Sequence, residues 1–147
     1  MSSTRPDVRF VDGLCSACVA YDRRRAADWD ARKRQFLALV RGGRRHPIFD
    51  VLVASSGGKD SHAIALTARE WGLRPLLFTV TPDFPTDLGR QNLENLKRLG
   101  FPCAEFTPNV AVRRKLNRIS LVEIGDIEWP EHAGIFSLPV RFARDIG

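Results

Sequence analysis

Ser56-Gly57-Gly58-Lys59-Asp60-Ser61 gathers two glycines, a cation, a carboxylate and two hydroxyls into six consecutive positions. Glycine lets backbone approach an anion with no Cβ in the way. Lys59 adds a mobile ammonium, and Ser56 and Ser61 add hydroxyl donors. The six follow an apolar run at residues 49–54 and lead into a stretch with helical periodicity. A strand, a tight turn and a helix N-terminus are predicted, the last presenting free N–H groups and the positive end of the helix dipole to an anion. The chemistry this suits is phosphate binding. It is not a Walker A loop, because G-x-x-x-x-G-K-[ST] cannot be laid onto Gly57, Gly58 and Lys59. An ordinary strand-to-helix turn is the plain alternative, though a turn alone requires neither Lys59 nor the flanking serines.

Cys15-Ser16-Ala17-Cys18 is a second constellation. Two thiols at this spacing are half of a tetrahedral zinc site, or a redox pair. A redox pair is expected to open a helix after a strand of a thioredoxin-like unit, and no such unit is legible ahead of Gly13. Zinc is the better fit, although a structural site takes four ligands and only two are local. Cys103 reads as an apolar-type thiol in a short strand. Three unevenly placed cysteines make no disulfide framework, which agrees with a reducing compartment.

The elements that must position these groups follow from pattern. Residues 49–54 and 76–81 read as strands, the second a near-continuous apolar run of the kind buried on both faces of a parallel sheet. Between them residues 61–71 read as a helix with Ile64, Ala65, Ala68 and Trp71 inward. Thr86 and Asp87 open a second helix carrying Leu93, Leu96 and Leu99 and closed by Gly100. A short strand at 104–106 follows, then Asn109 as N-cap of a helix with Val112, Leu116 and Ile119. This order implies an α/β fold, a doubly wound parallel sheet with right-handed crossovers. Ligand is then expected at the carboxyl ends of the strands, where residues 56–61 and 81–87 emerge. The three-stranded sheet leads into a segment interrupted by Pro139, leaving an edge that a homodimer or a partner should cover.

Ahead of the sheet, residues 1–45 read as a small basic helical cap, polar and loose up to Pro6, and residues 46–147 as the main domain. A helix over about 26–40 would bury Trp29, Phe36, Leu37 and Val40, with Gly42 and Gly43 ending it. The formal net charge is +6, and residues 23–45 set nine basic side chains against only Asp28 and Asp30. Such a segment suits nucleic acid, an acidic partner or a sugar nucleotide, or is simply a solvated helix face. No stretch approaches the roughly 20 apolar residues of a membrane helix, and there is no signal-peptide pattern, so no membrane is expected and the cytoplasm is the default location.

Ser-Gly-Gly-Lys-Asp-Ser resembles the PP-loop of the N-type ATP pyrophosphatases, which cleave ATP between the α- and β-phosphates and adenylylate a substrate oxygen. A wider set of segments resembles the N-acetyl sugar amidotransferases of that superfamily. These are residues 13–18, 28–32, 56–61, 86–96 and 114–118, together with Trp129-Pro130-Glu131-His132-Ala133-Gly134-Ile135-Phe136. The resemblance implies an adenine nucleotide alpha-hydrolase-like, Rossmann-like sheet. It also implies ATP-driven conversion of an N-acetyl group on a nucleotide sugar to an acetamidino group, serving surface-polysaccharide or flagellin-glycan synthesis. Ammonia would come from a glutaminase partner. Ser56, Gly57, Gly58 and Ser61 would hold the pyrophosphate portion, Lys59 would neutralise its charge, and Asp60 would orient the loop or Mg²⁺. Thr79, Val80 and Thr81 would line the adenosine site. Asp87, Arg90, Asn92 and His132 are candidate substrate contacts, with helix chemistry as the plain alternative for each.

Two departures qualify the resemblance. Where the family has a second Cys-x-x-Cys, this sequence has Glu128-Trp129-Pro130-Glu131, so a zinc set would be Cys15 and Cys18 with Glu128, Glu131 or His132. Family members also continue beyond the position of Gly147, so the chain is expected to be the N-terminal portion of an incomplete sheet. A PP-loop tRNA-modifying enzyme and a non-catalytic ATP-binding remnant are the competing readings. The first would use the basic segment, but the 92–96 and 129–136 segments match the sugar family better, so nucleic acid is the weaker partner.

Overall fold

The computed structural model describes residues 8–81 and 84–147, so the polar stretch up to Pro6 lies outside the described residues. The chain divides into two compact units, one up to Leu39 and one from Val40.

The first unit opens with a hairpin of β1 (Phe10–Val11) and β2 (Leu14–Cys15), paired antiparallel. Asp12 and Gly13 join the strands with φ of 51° and 77°. Two central residues at positive φ are what the tight hairpin turn requires, and Asp-Gly supplies them at low strain. Helices α1 (Ser16–Arg25) and α2 (Trp29–Gly43) follow; α2 is the helix expected over about 26–40, begun three residues later, and α1 is a further helix that the sequence pattern does not announce. The start of α2 has a local cause, because Asp28 Oδ1 accepts the Ala31 N–H at 2.8 Å. The expected apolar face of α2 is not buried. Trp29 is 56 % exposed, donates its indole N–H to the Arg24 carbonyl at 3.0 Å and lies under the Arg32 guanidinium.

In the second unit, β3 (Val51–Ala54), α3 (Lys59–Glu70), β4 (Pro75–Val80), α4 (Asp87–Arg98), β5 (Cys103–Phe106), α5 (Val110–Ile124) and α6 (Trp129–Ile146) occur in that order. The sheet is parallel throughout with order β3-β4-β5, Val53 beside Leu77 and Leu77 beside Cys103. The central strand β4 is buried along nearly its whole length. Leu77 points into a core with Val53, Ala65, Leu96 and Phe101, which draws in α3 and α4. Its neighbour Phe78 points to the opposite face and packs on Phe142 of α6, with ring centroids 4.8 Å apart. Helices thus flank a three-stranded parallel sheet. Leu77 and Leu96 are fully buried, and each such side chain stabilises the fold by about 1.5–3 kcal/mol.

At the amino end of the sheet, Asp50 accepts two bonds from the Arg74 guanidinium and faces Arg44 at 3.0 Å. This fork fixes where β3 begins relative to β4. Pro139 does not interrupt the last segment. It lies buried inside α6, which packs along β3 and β4, so tertiary contact overrides the local cost of proline. Several expected core positions are instead exposed, including Ile64, Leu99, Val112, Leu116 and Ile119. No helix among the described residues is long and apolar enough to cross a membrane.

Candidate functional site

The turn from β3 into α3 holds residues 55–58. Gly57 has φ of +79°, and a Cβ there would stand 3.0 Å from the Leu93 nitrogen in α4. Its lack of a side chain is therefore demanded by the fold itself. Gly58 is different. Its backbone is extended, and a Cβ would meet only the Ser56 hydroxyl at 3.5 Å, an ordinary contact. Packing does not require glycine at 58, although an N-cap position favours it over alanine, and the space where a Cβ would stand is otherwise open.

The loop is braced from within. Ser61 Oγ accepts the Ser56 N–H at 3.1 Å, and Ser55 Oγ accepts the Gly57 N–H at 3.3 Å. Thr79 Oγ1 donates to the Ser55 carbonyl at 2.8 Å and ties the loop to the end of β4. The helix it opens has no side-chain cap. By contrast, Thr86 caps α4 at 3.0 Å and Asn109 caps α5 at 3.0 Å. The first-turn N–H groups of α3 are therefore left for an external acceptor. Lys59 and Asp60 stand in solvent at this point, 4.0 Å apart and 93 % and 85 % exposed. Together these groups can hold a polyanion against a helix end, with a cation beside it and one carboxylate for a divalent ion.

Two clefts flank the loop at the carboxyl end of the sheet, and Ser56 lines both. One, of about 570 Å³, includes Thr79, Thr81, Phe84, Arg90, Glu94 and Glu105. The other, of about 360 Å³, lies between α5 and α6 and includes Val80, Val112, Arg113, Leu116, Glu131 and Ile135. Thr79, Val80 and Thr81 therefore do not share a surface, because successive strand residues face opposite sides. The polar cleft is charged by design of its wall. Lys97 reaches Glu94 at 2.6 Å and Glu105 at 2.7 Å, and these hydrogen bonds, Glu105 first, hold its ammonium well above the usual lysine range.

Of the remaining sequence candidates, Arg90 lines the polar cleft, where its guanidinium donates to the Pro85 carbonyl at 3.0 Å. Asp87 is fully exposed on the first turn of α4, 3.9 Å from Arg90. Asn92 serves the loop through its backbone, which passes against Gly57. His132 and Glu128 are exposed at the start of α6, and the Glu128 N–H bonds to Asp126. Glu131 accepts from Asn117 at 3.0 Å and pairs with Arg113 at 3.7 Å. One oxygen of its carboxylate is thus engaged, while Oε2 has no hydrogen-bond partner among the described residues. Arg113, only 7 % exposed at its side chain, is a site residue that sequence reasoning passes over, since it reads as one of three successive basic residues.

Cys15 and Cys18 come together with their sulfurs 3.3 Å apart. They do open a helix directly after a strand, as a redox pair should, though the strand belongs to a two-residue hairpin. The Cys18 N–H bonds to the Cys15 sulfur and, with the Cys18 thiol, holds Cys15 below the ordinary thiol range. The same thiol–thiol bond pushes Cys18 up. Among the described residues no group of three or more His, Cys, Asp or Glu side chains is gathered to hold a metal. Cys103 sits half-buried in β5, and burial raises its thiol pKa.

No protein-family model matches the chain, and no curated protein matches it.

Proposed function

We propose that the chain is the PP-loop portion of an ATP pyrophosphatase-type amidotransferase, similar to the N-acetyl sugar amidotransferases and built on an adenine nucleotide alpha-hydrolase-like sheet. The carrying observation is Gly58 at the start of α3, where a Cβ would find room beside first-turn N–H groups that no side chain among the described residues caps. Triphosphate is a good match to such a place, being a multivalent anion for a helix end.

In this reading the first-turn amides of α3 and the Ser56 hydroxyl bind phosphate oxygens, and Lys59 neutralises the charge that develops on the departing pyrophosphate. Asp60 holds Mg²⁺, which is commonly bound through one or two carboxylates plus phosphates. Bound ATP would supply its adenylyl group to the amide oxygen with release of pyrophosphate; ammonia from a glutaminase partner would then add to the carbon, and the oxygen would leave with AMP. The protein's part is positioning, because Ser55, Ser61 and Thr79 hold the loop rigid. The polyhydroxylated acceptor, a nucleotide sugar carrying an N-acetyl group, suits the cleft with Thr79, Thr81, Arg90, Glu94 and Glu105. The same reading assigns the protein to the cytoplasm, where ATP and nucleotide sugars are available.

The test is pyrophosphate release from ATP in the presence of a UDP-N-acetyl sugar and ammonium, compared with Lys59→Ala. Release that requires both co-substrates and falls in the variant is expected. ATP binding with no pyrophosphate under any substrate would instead make this a nucleotide-binding module.

A further inference from the structure

We infer that Cys15 and Cys18 form a reversible dithiol–disulfide couple, a modification site independent of the phosphate-binding loop and of the function proposed for it. The sulfurs lie 3.3 Å apart, whereas two thiolates on one tetrahedral zinc with 2.3 Å bonds stand about 3.8 Å apart. The pair is thus held in direct sulfur–sulfur contact, closer together than two thiolates on a shared zinc would stand. Of Glu128, Glu131 and His132, the residues that would extend a zinc set, Glu131 already accepts from Asn117 and faces Arg113.

The two sulfurs also differ in access. Cys15 is 4 % exposed and is fixed on three sides. It pairs with Phe10 across the hairpin, Ser16 donates its N–H to the Arg9 carbonyl at 2.7 Å, and the Cys18 N–H rests on the Cys15 sulfur at 3.4 Å. Cys18 is exposed on the first turn of α1. Access makes Cys18 the sulfur that an external disulfide meets first, while the buried Cys15, the thiol held low, is placed to attack it from beneath.

The oxidant is a low-molecular-weight disulfide. The Cys18 thiolate attacks one sulfur of RSSR, breaking the S–S bond, forming Cys18–S–S–R and releasing one RS⁻ that takes up the Cys18 proton. The Cys15 thiolate then attacks the Cys18 sulfur, forming the Cys15–Cys18 bond and releasing the second RS⁻, which takes up the Cys15 proton. Two protein thiols are oxidised, and one disulfide is reduced to two thiols. Excess thiol reverses both steps.

The experiment equilibrates the full chain in glutathione buffers of graded oxidised-to-reduced ratio, quenches in acid, alkylates and weighs the protein and its peptides. The expected result is loss of two of the three alkylatable thiols, a protein lighter by two hydrogens, and a cross-linked peptide holding Cys15 and Cys18. Cys103→Ser should leave this unchanged. Cys15→Ser should stop at a stable glutathione adduct on Cys18, and Cys18→Ser should form neither adduct nor cross-link at Cys15. The inference is overturned if a cross-link uses Cys103, if wild type retains all three thiols at every ratio, or if zinc bound in stoichiometric amount shields both thiols from the oxidant.

Discussion

A Cβ placed on Gly57 would stand 3.0 Å from the backbone nitrogen of Leu93, so the turn from β3 into α3 is pressed directly onto the middle of α4. Gly57→Ala combines that clash with a φ of +79° and is expected to destabilise the fold by about 2 kcal/mol or more. Gly58→Ala has neither problem and should stay within about 0.5 kcal/mol of wild type in urea unfolding. It should still weaken ATP binding measurably. Equal loss of stability in both variants would remove the argument that Gly58 serves a ligand.

Lys59 is almost wholly in solvent, and its contact with Asp60 at 4.0 Å is too exposed to matter to stability. Lys59→Ala should therefore leave the thermal midpoint unchanged. Loss of one charge-assisted contact to phosphate should raise the ATP dissociation constant about tenfold or more. Calorimetric titration with ATP checks both halves on one preparation.

Glu131→Ala leaves the buried Arg113 guanidinium short of its carboxylate and removes the acceptor for Asn117. Removing this partly exposed carboxylate is expected to cost about 1–2 kcal/mol, since Arg113 keeps a further interaction. Glu131→Gln keeps an acceptor for Asn117 and should cost less. If Glu131 were a zinc ligand instead, chelator treatment of wild type would reproduce the loss, and denaturant unfolding with and without chelator separates the two accounts.

Lys97 joins α4 to β5 through Glu94 and Glu105. Its folded pKa is raised, so the stability it contributes is fully present below the unfolded lysine value of about 10.4 and is lost as pH rises through the higher folded value. The stability gap between wild type and Lys97→Met should thus be flat from about pH 6 to 9 and shrink only in strong alkali. Partial exposure and added salt will keep the gap small. A gap that closes near neutral pH would assign the effect to another group.

Much of the second unit is readable from periodicity. The apolar run of β4, the inward Ala65, Ala68 and Leu96, and the capping residues Thr86 and Asn109 all take their expected places. The α5 face is not where pattern puts it, because Val112 and Leu116 line a cleft while Arg113 turns inward. Nothing local marks Arg113, since its partner Glu131 is 18 positions away on another helix. The division of labour between Gly57 and Gly58 depends on where α4 passes, which no hexapeptide reveals. The split of Thr79 and Thr81 from Val80 is a different case, for strict alternation along a strand already separates them. In the first unit the apolar stripe marks α2, whose start the Asp28 cap sets, but the stripe stays exposed where burial is expected.

Ser56 borders both clefts at the mouth of the loop. Two ligands that each bonded this hydroxyl, one from either side, would be coupled through it. The affinity of either should change by one common factor when its counterpart is present, whichever is added first. Truncating Ser56 to alanine should bring that factor towards unity, turning a conversation between two molecules into two separate bindings.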